Sequence, residues 1–226
     1  MSDMQQLPLE VRLVPAQRFD NFLVGRNAAG VQALSQAQPG DPPFLLWGPS
    51  GSGKSHVLSA MQSVWEERGL RVARFGAFDR APWDTAMDAS LLLLDQAEQW
   101  TPEQQQAAFA RLVQATDRGA LWVAASRLPP IDLPLREDVR TRLAWGQVLP
   151  WLPLADEELP LALQQASLER GLHLSDEVVE YLLRRQRRDL KSLVHELDRL
   201  DRFALSHQRA VTIPLVRQWL HHRQEP

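Results

Sequence analysis

The sequence predicts an α/β fold, a five-stranded parallel sheet covered by helices on both faces and followed by an all-helical C-terminal segment. Three observations predict it. From Phe44 onward, short apolar runs alternate with longer amphipathic stretches, the order that parallel strands and crossover helices require. A glycine-rich loop separates the first such run from the first such stretch. After about Pro153 the apolar runs stop, and only helix-like stretches remain.

Residues 1–17 read as a polar, proline-punctuated tail with one short apolar motif, Gln6-Leu7-Pro8-Leu9. Phe44-Leu45-Leu46-Trp47 is a buried strand leading into glycines. Lys54 to Arg68 follows as a helix, with Val57, Met61, Val64 and Trp65 near one face and Gly69 as its stop. Arg71 to Phe75 alternates as a second strand, and Ser90 to Leu94 is a third, buried strand ending in Asp95. Thr101-Pro102-Glu103-Gln104 reads as a capping box with proline at the first helical position. Phe109, Leu112 and Val113 carry the buried face of that helix. Asp117-Arg118-Gly119 turns the chain into a fourth strand, Ala120 to Ala125, and Gln147-Val148-Leu149 supplies a fifth. Further helices are expected over 157–170, 175–185, 189–206 and 214–222. Ser175 opens the second of these, where Asp176 and Glu177 complement the positive end of the helix dipole. The sheet-bearing base is therefore expected over 18–153 and the helical segment over 154–226.

With 226 residues, 44% of them hydrophobic, the chain can bury a large core and a small second one. It has no cysteine, which excludes disulfides and thiolate metal sites and fits a reducing cytosol. Met1 to Gln6 shows no basic stretch followed by an apolar one, so no secretory signal is read. The apolar run around Leu91 to Leu94 is far too short to span a bilayer. A cytoplasmic protein without membrane contact is expected. The net charge of -3 argues against strong direct DNA binding, because a DNA-binding domain must neutralise phosphates. The six histidines show no ligand spacing, and Trp47 and Trp145, two of eight tryptophans, are read as packing residues.

Gly48-Pro49-Ser50-Gly51-Ser52-Gly53-Lys54-Ser55 is a complete G-x-x-x-x-G-K-S loop between a predicted strand and a predicted helix. Its glycines let the backbone curl so that N–H groups surround phosphate oxygens, and the following helix adds its positive end. Lys54 supplies a mobile charge for the phosphates, and Ser55 offers a hydroxyl to Mg²⁺. Asp95, at the end of a buried strand, is the second expected Mg²⁺-linked residue. Many hydrolysing ATPases carry a second acid next; here Gln96 stands there, and glutamine is a poor base. Glu98 is expected to point elsewhere, so slow intrinsic ATP hydrolysis follows.

Other segments resemble the DnaA-related AAA+ family. Phe19 to Asn27 resembles its opening box, Arg140 to Gly146 its box VII, and Arg187 to Ser192 its sensor 2 segment. The Gln6-Leu7-Pro8-Leu9 tail and Thr212-Ile213-Pro214 look like the Hda-type regulators of that family, and the chain stops where DnaA continues into a DNA-binding domain. The resemblance implies an AAA+ base with a helical lid that binds ADP or ATP between them. It also implies two partners, the DnaA initiator and the DNA polymerase III sliding clamp, with hydrolysis stimulated on DnaA. By position it implies Walker A roles for Gly48, Gly53, Lys54 and Ser55, a Walker B role for Asp95 and a sensor 1 role for Ser126. It further implies a sensor 2 role for Arg188, an arginine finger at Arg142, and clamp contacts from Gln6, Leu7 and Leu9. The clamp motif is shorter than usual, with Gln6 directly before the leucines. Homo-oligomers fit the same picture, since AAA+ sites are often completed by a neighbour. A helicase loader or remodelling motor is the competing expectation; a small-molecule kinase and a DNA-binding initiator rank behind both.

Overall fold

The computed structural model describes residues 17–83, 88–185 and 189–222. Five strands, β1 (Phe44–Trp47), β2 (Val72–Phe75), β3 (Leu91–Leu94), β4 (Leu121–Ser126) and β5 (Gln147–Pro150), form one parallel sheet. Their order is β2-β3-β4-β1-β5. Every strand is within two residues of its predicted bounds, because each is an apolar run cut off by polar or turn residues.

The three central strands, β1, β3 and β4, are largely buried, and strand alternation deals their residues to two cores. Leu45, Leu92, Leu94, Trp122 and Ala124 pack with α3 (Pro102–Asp117) and α4 (Glu137–Leu143). Phe44, Leu46, Leu91, Leu93, Val123 and Ala125 pack on the other face with α1 (Ala28–Gln36) and α2 (Lys54–Glu67). Helix α3 begins with the expected capping box: Thr101 accepts from the Gln104 amide, and the Gln104 side chain accepts from the Thr101 amide. Helix α1 (Ala28–Gln36) adds to the elements expected from the sequence and buries only Leu34 fully.

The last four helices, α5 (Leu159–Leu168), α6 (Asp176–Arg185), α7 (Leu190–Ser206) and α8 (Ile213–His222), share a separate core. Leu193, Leu197, Leu200 and Ala204 form the buried stripe of α7 at helical spacing. Asp189 caps this helix by accepting from the Ser192 amide at 2.8 Å. Among the described residues no helix is long and apolar enough to cross a membrane.

The sheet edge is drawn unusually tight. A Cβ on Gly146 would lie 2.0 Å from the Pro43 carbonyl oxygen, and one on Gly48 would lie 2.0 Å from that of Trp151. Beyond β5, Asn27 holds the chain in a reciprocal pair: Nδ2 donates to the Leu152 carbonyl at 2.8 Å, and Oδ1 accepts from the Leu152 amide at 2.9 Å. Trp145 departs from expectation. It is 64% exposed, because Gly146 must press its backbone to Pro43 and so leaves the preceding ring outside the core.

Two substitutions test these elements by urea denaturation. Thr101→Ala should cost about 1 kcal/mol by removing the cap. Gly146→Ala should cost about 2 kcal/mol or more, since backbone rather than a yielding side chain blocks the new methyl.

Candidate functional site

The chain leaves β1 at Trp47 and curls through residues 48–53 before α2 starts at Lys54. Gly51 and Gly53 have φ of 81° and 93°, left-handed values that glycine adopts without a Cβ penalty. Neighbours also crowd a side chain there: a Cβ on Gly53 would sit 2.7 Å from the Phe22 ring, and one on Gly51 3.1 Å from Asp189 Oδ1. The loop is tied to β4 by the Gly48 amide, which donates to the Ser126 carbonyl at 3.1 Å.

Lys54 is buried, and its ammonium is folded back over its own loop. It donates to the carbonyls of Gly48 at 2.7 Å and Pro49 at 2.8 Å, and to Ser52 Oγ at 3.2 Å. Ser52 in turn donates to the Pro49 carbonyl at 2.9 Å. Burial pushes the Lys54 pKa below its ordinary 10.5; the charges of Glu98 and Asp95 oppose the shift, and Arg127 adds to it.

Ser50, Gly51, Gly53, Lys54 and Ser55 line one wall of a cleft of about 520 Å³, while Gly48, Pro49 and Ser52 shape the loop behind them. Asp95, Gln96 and Ser126 line its floor at the strand ends. Ala162 of α5, Glu169 and Arg170 just after it, and Lys191 of α7 close the far side. Asp95 Oδ1 accepts from the Gln96 amide at 2.9 Å, and Oδ2 lies 3.5 Å from Arg74 Nη2. The buried Ser126 hydroxyl donates to the Leu128 carbonyl.

Glu98 corrects a sequence expectation. It lines the cleft instead of pointing away, because Gln96 takes a left-handed φ of 56° and starts a 3₁₀ turn over Ala97–Gln99. Its side chain is only 3% exposed, and Arg127 occupies both oxygens, Nε donating at 2.8 Å and the backbone amide at 3.0 Å.

The family model described as "Hda, lid domain" matches residues 156–220. The chain superposes on domain III of the Thermotoga maritima replication initiation protein DnaA with a TM-score of 0.79 at 19% identity, covering 94% of this chain and 98% of that one. Residues 156–220 thus match the Hda lid family, and the chain as a whole has the AAA+ fold of DnaA domain III. An AMPPCP-bound DnaA from Aquifex aeolicus matches at a TM-score of 0.69 and 21% identity, over 83% of this chain and 65% of that one. The RuvB Holliday junction branch migration motor of Thermotoga maritima matches at 0.67 and 16% identity, over 92% and 72%. An uncharacterized protein of Haemophilus influenzae is 29% identical over 96% of this chain and 98% of its own length.

Within this AAA+ frame, the expected phosphate-loop residues, Asp95 and Ser126 come together in or directly behind one cleft. Arg142 does not join them. It lies in the last turn of α4, just before the N-terminal end of β5, whereas the loop opens from the C-terminal end of the neighbouring β1. A four-residue strand separates such ends by roughly 13 Å. Gln6, Leu7, Leu9 and Arg188 lie outside the described residues. Sequence reasoning missed Arg127, His56, Arg170 and Lys191 as cleft residues. For Lys191 a signal existed, its place in the sensor 2-like segment. Arg127 had none, since its partner Glu98 is remote in sequence.

His56 Nε2 lies 3.0 Å from the Arg18 carbonyl oxygen, under the edge of the Phe22 ring. Burial lowers its pKa below the ordinary 6.5, against the Arg18 carbonyl and the Glu169 charge. Above pH 6.5 the folded and unfolded states are both neutral at this position. Below it the unfolded chain takes the proton more readily, so stability declines until the pH passes the lower folded value. Urea midpoints measured from pH 8 to 5 should fall more steeply for the native chain than for His56→Gln.

Proposed function

We propose that this protein binds ADP or ATP with Mg²⁺ in the cleft and regulates chromosomal replication initiation. Bound to the DNA-loaded sliding clamp of DNA polymerase III, it stimulates ATP hydrolysis on the initiator DnaA and so prevents re-initiation. The observation that carries this reading is the Hda-type lid facing a phosphate loop whose lysine, serine and strand-end aspartate share one cleft. The base over 18–153 and the lid over 154–226 hold the nucleotide between them.

Lys54 releases its carbonyl partners to meet the phosphates, while the loop amides surround them. The Ser55 hydroxyl and Asp95 carboxylate are hard oxygen donors that suit Mg²⁺, which neutralises phosphate charge when bound. Among the described residues no cluster of three or more His, Asp or Glu side chains forms a metal cage. That fits an ion held chiefly by phosphate and water. Ser126 and the lid residue Arg188 sense the phosphate end. Gln96 is a poor base and Arg127 holds Glu98 through both oxygens, which supports slow turnover by this protein alone. Arg142 faces away from its own cleft and acts on that of DnaA, a contribution that reaches about 10³–10⁵ in rate where arginine fingers operate. Gln6, Leu7 and Leu9 supply the clamp contact.

The likeness to RuvB favours a second reading, a helicase loader or remodelling motor with substantial turnover of its own. ATPase assays separate the two. Regulation predicts little hydrolysis by this protein alone and strong hydrolysis with ATP-loaded DnaA and DNA-bound clamp, lost in Arg142→Ala. Fast turnover in isolation would instead establish the motor.

Calorimetry tests the cleft itself. Lys54→Ala should weaken nucleotide binding by about ten- to hundredfold through loss of charge-assisted hydrogen bonds. Phosphate binding needs the ammonium form, so native affinity should fall as pH rises through the lowered Lys54 pKa, beginning below 10.5. Lys54→Ala should lose this component of the pH dependence.

A further inference from the structure

Trp145 alone among the eight tryptophans is exposed; six are buried and Trp47 is half-buried. The guanidinium of Arg142 rests on its ring, with the central carbon 4.1 Å from the ring centroid. Other functional-site arginines are held differently. Arg74 lies beside Asp95, Arg127 pairs with Glu98, and Arg170 with Asp198. Among the described residues no carboxylate forms an ion pair with Arg142. A carboxylate partly cancels the charge it positions, whereas an aromatic face orients a guanidinium and leaves its charge uncancelled.

The ring itself stands on a fixed base. The Trp145 amide donates to the Arg142 carbonyl at 3.1 Å, closing the end of α4. Gly146 presses on the Pro43 backbone, and the Gln147 amide donates to the Pro43 carbonyl at 2.7 Å. Val139 and Leu143 anchor α4 itself in the core. The backbone that carries the indole is therefore tied to the sheet edge on one side and to the arginine's own helix on the other.

We propose that Trp145 is the positioning residue for Arg142, holding its guanidinium oriented at the exposed end of α4 for a partner's transferring phosphoryl group. The inference rests on the reading of Arg142 as an arginine finger. Without the ring, the long side chain samples many rotamers, and ordering it at the moment of transfer lowers the rate. The contribution therefore belongs to the chemical step and not to docking. Phenylalanine keeps the π face; leucine keeps apolar bulk without it.

The test uses the full chain with ATP-loaded DnaA and DNA-bound clamp. Trp145→Ala should lower the stimulated kcat by about three- to tenfold, the range expected of one cation–π contact. The concentration of this protein giving half-maximal stimulation should change less than about twofold if docking is untouched. Trp145→Phe should restore most of the rate, and Trp145→Leu should not. In this protein alone, ring-current displacement of the Arg142 side-chain proton resonances, assigned with Arg142→Ala, should vanish in Trp145→Ala. If kcat holds in Trp145→Ala while Arg142→Ala abolishes stimulation, the positioning role is overturned and the finger stands. A rise in half-maximal concentration at constant kcat makes Trp145 a docking residue and also overturns the proposal. If Arg142→Ala itself leaves stimulation intact, the finger reading fails and the role of Trp145 falls with it.

Discussion

The main chains of β1 and β5 approach so closely that, at each end of their pairing, a glycine lies against a neighbouring backbone carbonyl. At the C-terminal end of β1, Gly48 slips past the Trp151 carbonyl and opens the phosphate loop between β4 and β5. At the other end, Gly146 lies against Pro43 and sets the platform on which Arg142 rests. Any side chain at either position would meet backbone, which cannot yield as a flexible side chain can. The cleft and the placement of Arg142 are thus two consequences of one sheet-edge pairing. The first phosphate-loop glycine answers to this edge as much as to any ligand.

The same edge hands the chain to the lid. Trp151 donates to the Trp47 carbonyl at 2.6 Å, and Asn27 then grips Leu152 through both side-chain atoms. From there the helices fold over the loop, and Asp189, the cap of α7, comes to rest against Gly51. A helix cap therefore doubles as a contact between lid and base.

Within the cleft, charge is managed chiefly by pairing. Arg127 holds Glu98, and Arg170 is held by Asp198, while Lys54 turns to neutral carbonyls. Carbonyl partners are easier to exchange for phosphate oxygens than carboxylates are, because they carry no full charge to be separated. The lysine is thus buried, disfavoured as a cation by that burial, and ready for anionic partners.

Local residue order was enough for the five strands, the capping box at Thr101 and the turn from Trp47 into Lys54. Each of these is written in contiguous residues: an apolar run, a hydroxyl three positions before a glutamine, a set of spaced glycines. The four lid helices were legible for the same reason, through their apolar stripes. Tertiary structure alone decided that Glu98 turns into the cleft under Arg127, that Trp145 lies outside the core, and that Arg142 stands away from its own phosphate loop. Each depends on groups far apart in the chain, Glu98 with Arg127 and Gly146 with Pro43, whose meeting is set by strand order and by the hard limit of backbone contact. Periodicity carries information about which face of an element is buried, but not about which distant residue will be waiting there.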